Sequence, residues 1–169
     1  MVGVTVRMAE QTCDDSSPQQ LNIEVGSSST PPIPRSYLIN GPREEYLKIG
    51  VPLYEASITC DWKWASTIFY KYPNMELTRC SITENGETAL HVSASTKGHQ
   101  HVEEFVKNLV DMMDKADLEM QNNNQNTALY LAAAAGNIKV VKIMVEKNRP
   151  LLTIAGGNGN KVQYHLENH

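Results

Sequence analysis

From Tyr46 onward the apolar residues recur at helical spacing, in pairs of stretches separated by polar turns. In the clearest stretch Val102, Phe105, Val106, Leu109, Val110 and Met113 fall at i, i+3, i+4, i+7, i+8 and i+11, one face of an amphipathic helix. Trp64, Ala65, Ile68 and Phe69 repeat the pattern upstream, and Val140, Val141, Met144 and Val145 repeat it downstream. Each is preceded by a shorter segment, and the three short segments align: Val51-Pro52-Leu53-Tyr54-Glu55-Ala56-Ser57, Thr88-Ala89-Leu90-His91-Val92-Ser93-Ala94 and Thr127-Ala128-Leu129-Tyr130-Leu131-Ala132-Ala133. Their anchor leucines, Leu53, Leu90 and Leu129, stand 37 and 39 residues apart. A helical period of that length marks a stack of units, each too small to bury its own apolar face.

Within a unit, a turn separates the short helix from the longer one: Cys60-Asp61, Gly98-His99 and Gly136-Asn137. Glycine there supplies the left-handed backbone that closes a helix. Pro73 and Pro150 follow the second helices of units one and three, where a proline prevents continuation. Polar turns rich in Asn and Gly, residues 83–87 and 121–126, separate the units. The units predicted are about 48–80, 84–119 and 123–155, with a partial fourth at 158–169.

These residues resemble the ankyrin repeat, with its T-P-L-H-x-A segment, G-H or G-N turn and V-V-x-x-L-L helix. Thr88-Ala89-Leu90-His91 after Asn85-Gly86 carries the likeness, as does Thr127-Ala128-Leu129-Tyr130 running through Gly136-Asn137 to Val140-Val141. Tyr54 and Tyr130 replace the motif histidine, Gln125 stands where glycine is usual, and residues 97–101 lengthen the second turn. The stretches 88–110 and 125–137 are further similar to plant ankyrin proteins that end in a membrane-embedded PGG-type domain. That likeness implies a role in defence or salt-stress signalling, with relatives that are membrane proteins. Val162-Gln163-Tyr164-His165-Leu166 reads as the opening of a fourth repeat that then stops, so a truncated gene product or fragment is expected, with an apolar patch left open on unit three.

Residues 1–45 differ in kind. They hold five of the eight prolines, one of the eleven aromatics (Tyr37), and three basic against six acidic residues. Such a segment buries too little apolar surface to offset the entropy of ordering it, so 1–45 is expected to be a disordered tail and 46–169 the repeat domain. Pro31-Pro32-Ile33-Pro34 has the make-up of a polyproline docking peptide, but most short proline clusters are plain linkers, and that is the reading taken.

Whole-chain numbers narrow the function. With 169 residues, 41% apolar and 20% charged, one domain is the most the chain can form. The net charge of -4 argues against nucleic acid or an anionic membrane as partner. No apolar run approaches the roughly 18 to 20 residues of a membrane span, and the first thirty residues lack a signal-peptide core, so a cytoplasmic chain is expected. If a C-terminal membrane domain exists in the full form, the location becomes the cytosolic face of the plasma membrane. Cys13, Cys60 and Cys80 form no CxxC pair and read as reduced thiols.

No catalytic, cofactor or metal residues are expected. His91, His99 and His101 lack a recognised ligand spacing, and His91 at the motif position reads as a structural histidine. Cys60 beside Asp61 meets only the minimum list for a thiol nucleophile. Gly156-Gly157-Asn158-Gly159-Asn160-Lys161 lacks the G-K-[ST] ending of a phosphate loop. Trp62 and Trp64 are read as stack residues, with Trp64 at a core position.

The expected architecture is therefore an all-α ankyrin solenoid, and its function is protein recognition on the concave surface formed by turn tips and first helices. Candidate contact residues are Glu84, Asn85 and Glu87 in one turn and Asn122, Asn123, Asn124 and Asn126 in the next, each equally a solvated loop residue. The alternative is the cytosolic part of a membrane-tethered ankyrin signalling protein.

Overall fold

The computed structural model describes residues 2–9 and 30–168. Thr88 and Thr127 start the first helices of units two and three: each hydroxyl accepts the N–H three residues on, from His91 and from Tyr130. Those helices are Ala89–Ala94 and Ala128–Ala134. In unit one, Val51 occupies the same position and has no side-chain oxygen to cap with. The helix Val51–Ile58 accordingly does not begin there; it runs back through a π-helical turn, Tyr46–Gly50, into Arg43–Glu45 behind Pro42.

In chain order the elements are strand β1 (Val2–Ala9), α1 (Tyr37–Asn40), α2 (Arg43–Glu45), α3 (Val51–Ile58), α4 (Trp62–Lys71), α5 (Ala89–Ala94), α6 (Val102–Asp111), α7 (Ala128–Ala134), α8 (Ile138–Lys147) and strand β2 (Lys161–Asn168). First helices α3, α5 and α7 pack in one row, second helices α4, α6 and α8 in another, and each unit pairs one of each. Leu53, Leu90 and Leu129 are buried at equivalent positions, and so are Ala56, Ser93 and Ala132, whose small side chains let neighbouring first helices approach. Unit two's longer turn is visible in the register: α6 starts at Val102, fourteen residues after Thr88, whereas α8 starts at Ile138, eleven after Thr127. The helix-closing turns carry positive φ at Cys60, Gly98 and Gly136.

Each polar turn between units is a hairpin finger. Ile82 N–H donates to the Glu87 carbonyl, Asn122 N–H to that of Asn126, and Gly156 N–H to that of Asn160. The tight corner in each needs positive φ, at Gly86, Gln125 and Gly159. Gly86 has a second reason to be glycine, since a Cβ there would lie 2.5 Å from the Asn123 side-chain oxygen of the next finger.

The solenoid is the helical repeat stack expected; three features outside that expectation concern the chain ends and the tryptophans. Trp64 is 39% exposed, and Trp62 takes the inner place, edge-on to Phe105 at 5.7 Å. The segment 161–168, read as the start of a helix, is a strand paired antiparallel with 2–9. Lys161 follows its finger where Thr88 and Thr127 follow theirs and cannot cap a helix, and Val162, Tyr164 and Leu166 alternate at the period of a strand. This ribbon lies against α7 and α8, with Val162 buried and Val6 and Tyr164 packed on the core, so it covers the part of unit three expected to be left open. Finally, of the expected disordered tail, residues 10–29 lie outside the described residues, whereas 30–45 pack on unit one and along the bases of the next two fingers. Leu38 is fully buried, Tyr46 Oη donates to the Ile82 carbonyl, and Arg35 bridges to Cys80. Composition averaged over 45 residues concealed one anchoring leucine.

Candidate protein-binding surface

His91 shows how the base of a finger is held. Its Nδ1 accepts the Thr88 backbone N–H at 3.2 Å and the Thr88 hydroxyl at 2.8 Å, and since an N–H can only donate, Nδ1 carries no proton. Nε2–H therefore donates to the Met120 carbonyl at 3.0 Å, tying unit two to the entrance of the next finger. Burial in this apolar setting pushes the imidazole pKa down to about 4. Both nitrogens are engaged, so this is a neutral structural histidine. His99 and His101 lie apart from it, ring to ring at 5.8 Å in the long turn. Among the described residues no group of three or more His, Cys, Asp or Glu side chains is placed to hold a metal ion. Burial raises the pKa of both the Cys60 and the Cys80 thiol above the ordinary range, which opposes thiolate formation.

The seven residues proposed from sequence as contacts divide into two kinds. Asn122 is 4% exposed, and its Oδ1 accepts the N–H groups of Asn124 and Asn126 at 3.0 Å each, so it shapes the finger from inside and is corrected from contact to scaffold. Asn123 Nδ2 donates to the Glu84 carbonyl and its N–H to the Asn85 carbonyl, locking the second finger to the first. Asn126 Oδ1 accepts from Gly157 N–H at 2.9 Å, locking the third to the second. Asn85 and Glu87 are half-buried and joined to each other and to Thr83 within one finger. That leaves the Glu84 and Asn124 side chains exposed and, among the described residues, without a hydrogen bond of their own, with exposed Asn158 next to Asn124. Asn158 accepts from Tyr130 Oη at 3.0 Å, and Asn124, Asn126, Tyr130, Gly157 and Asn158 line a shallow recess between the second and third fingers.

Two braces went unread in the sequence. Asn137 Nδ2 donates to the carbonyls of Ala94 and Thr96, and buried Asn148 Nδ2 donates to that of Lys115, so each binds unit three to unit two. Asparagine at a helix end carries a local signal for a cap or a turn, and nothing local shows that its amide reaches back some forty residues.

The result is a two-row helical solenoid whose rigid hairpin fingers form a continuous polar edge, the build of a repeat protein that binds other proteins. Residues 66–160 match the family of ankyrin repeats in three copies, more than half of the sequence, and the chain belongs to that family. Over 98 residues it is 31% identical to alpha-latroinsectotoxin-Lt1a of Latrodectus tredecimguttatus, a match that takes in 58% of this chain and 6% of the toxin. The chain thus spans a small fraction of the length of that relative. The ankyrin repeat is a non-catalytic interaction fold, and none of the helices described here is long and apolar enough to cross a membrane.

Proposed function

We propose that this chain is a non-catalytic recognition module that takes a protein partner on the finger tips and the exposed side of the first helices. The observation that carries the reading is the division of labour among the finger residues. Asn122, Asn123, Asn126 and Gly86 fix the backbone, which leaves Glu84 on the first finger and Asn124 and Asn158 on the next two presented at little further cost in ordering on binding. The test is capture from cytosol by the full chain and by its Glu84→Lys, Asn124→Lys variant, with thermal melts of both. A partner that the first retains and the second loses at equal stability supports the tips; identical capture by both refutes them.

A role in plant stress or defence signalling goes further. Its support is the similarity of residues 88–110 and 125–137 to plant ankyrin proteins with a C-terminal membrane domain. In the form tethered to a membrane, the array would be the cytosolic recognition part, and transcript sequence continuing past His169 into apolar spans of about 20 residues would support that form.

A further inference from the structure

Residues 30–36 run extended beside the first strands of the fingers, and their contacts are those of a bound peptide. The Pro32 carbonyl accepts Gln121 N–H at 3.0 Å, and three residues on the Arg35 carbonyl accepts Ser81 N–H at 2.8 Å. Gln121 and Ser81 hold the same place in successive fingers, each next to the residue that closes its hairpin, Asn122 and Ile82. The segment therefore spans one repeat with three residues and meets an equivalent donor at each end. Arg35 N–H returns a bond to the Arg79 carbonyl at 2.8 Å, and the Arg35 guanidinium pairs with Glu76. Side chains add little else: Ile33 is 77% exposed, and Pro32, Arg35 and Ser36 are exposed. A recess formed by Ser81, Thr83, Glu84, Gly86 and Asn123 lies beside Ile33 and Pro34.

We propose that this line of finger-base donors is a peptide-docking track, suited to an extended, proline-containing peptide with a basic residue three positions after its first accepting carbonyl, and that residues 30–36 occupy it in cis. Recognition through main-chain bonds depends on conformation more than on side-chain identity, so a second peptide of the same backbone shape can replace the first. Prolines at 31, 32 and 34 hold the strand extended before it docks, which lowers the entropy lost on binding, and any proline-rich competitor shares that advantage. Glu76, set at the position of the basic side chain, supplies the charge preference. The track runs along the finger bases and meets the tip residues only at Glu84, which lines the recess beside Ile33 and Pro34; Asn124 lies in the recess of the second and third fingers, so the track does not rest on the tip reading.

The test uses the full chain, a loosened full chain with Pro31→Gly, Pro32→Gly and Pro34→Gly, and a second full chain with Arg35→Glu. The probe is a labelled peptide with the sequence of residues 28–36, read by fluorescence anisotropy. A tethered strap at about millimolar effective concentration weakens a competitor of about 100 µM affinity roughly tenfold. The peptide is therefore expected to bind at least one altered chain about tenfold more tightly than the unaltered one, and to slow amide exchange at Ser81 and Gln121 as it does so. The same peptide with glutamate in place of its arginine is expected to bind several-fold more weakly, and Glu76→Lys in the loosened chain to reverse that order. Equal binding to all three chains, binding to none of them, or protection elsewhere than Ser81 and Gln121 overturns the proposal. Asn124→Lys alone, away from the track, is expected to leave peptide binding unchanged whether or not it alters capture of a protein partner, which separates the track from the tip reading.

Discussion

Lowering the pH should unload the His91 site, and the structure sets both the sign and the size of the effect. In the folded chain the imidazole is neutral with a pKa of about 4; in the unfolded chain it has the ordinary value of 6.5. Above pH 6.5 the group is neutral in both states and imposes no penalty. Between 6.5 and 4 the unfolded chain binds a proton that the folded chain excludes, so stability falls with pH and levels off below 4. The gap of about 2.5 units corresponds to about 3 kcal/mol in full, and to roughly half of that by pH 5.3. The chemistry explains the direction: a proton on Nδ1 removes the acceptor of the Thr88 N–H and sets two donors against each other in an apolar pocket. Urea melts of the native chain and of His91→Gln from pH 7.5 to 4 isolate the effect, because carboxylate titration is common to both and cancels. The native advantage over the glutamine variant should shrink by about 3 kcal/mol across the range. Parallel stability curves, or a His91 ring resonance that titrates near 6.5 by NMR, would refute the buried neutral assignment.

Other substitutions test the repeat register and the braces by the same melts. Leu129→Ala should cost about 2 to 5 kcal/mol as a large-to-small core change, and Glu84→Ala under about 0.5; similar losses would mean the register is wrong. Gln125→Gly should stabilise by up to about 1 kcal/mol, since a non-glycine residue holds φ +62° there. Asn148→Ala should cost about 1 to 3 kcal/mol by leaving the Lys115 carbonyl without its buried donor, with no loss of helix by circular dichroism. Leu38→Ala should cost about 2 to 5 kcal/mol, which a segment free of the core would not show.

The helices were legible because their signal is local and repeated. The spacing from Val102 to Met113 and the aligned leucines state a period that packing then honours, as the buried Leu53, Leu90 and Leu129 show. Trp64 was misplaced because the apolar series admitted a start at Trp62 as readily; in the folded α4 the buried face is Ala65, Ile68 and Phe69, and Trp62 packs with it while Trp64 lies toward its edge. The ribbon was missed for a different reason. Val2, Val4, Val6 and Met8 alternate at a period of two, but the average composition of residues 1–45 outweighed eight residues of pattern. The finger residues were found as a group, and their roles were not. Whether an asparagine faces a partner or, like Asn122 and Asn123, holds a finger in shape depends on the neighbouring unit, and that neighbour is close in space only after the chain has folded.

Unit one shows what residues 30–45 do for the stack. It lacks the two devices that define the others, a threonine to cap its first helix and a finger of its own before that helix. The N-terminal segment replaces both. The turns from Arg43 to Gly50 carry the helix past the uncapped Val51, and Arg35, bridged to Cys80, lies along the first strand of the unit-two finger. Leu38 fills the core beneath, and Tyr46 closes the seam by donating to the Ile82 carbonyl. Capping and docking thus fall on one stretch of chain with unequal grips. Leu38 and Tyr46 hold the helical part by burial, whereas residues 30–36 are held by a few main-chain bonds and one exposed ion pair, of which the latter contributes about 1 kcal/mol or less. The strap can therefore leave the finger bases while the cap stays in place, and exchange on the track does not require unit one to unfold.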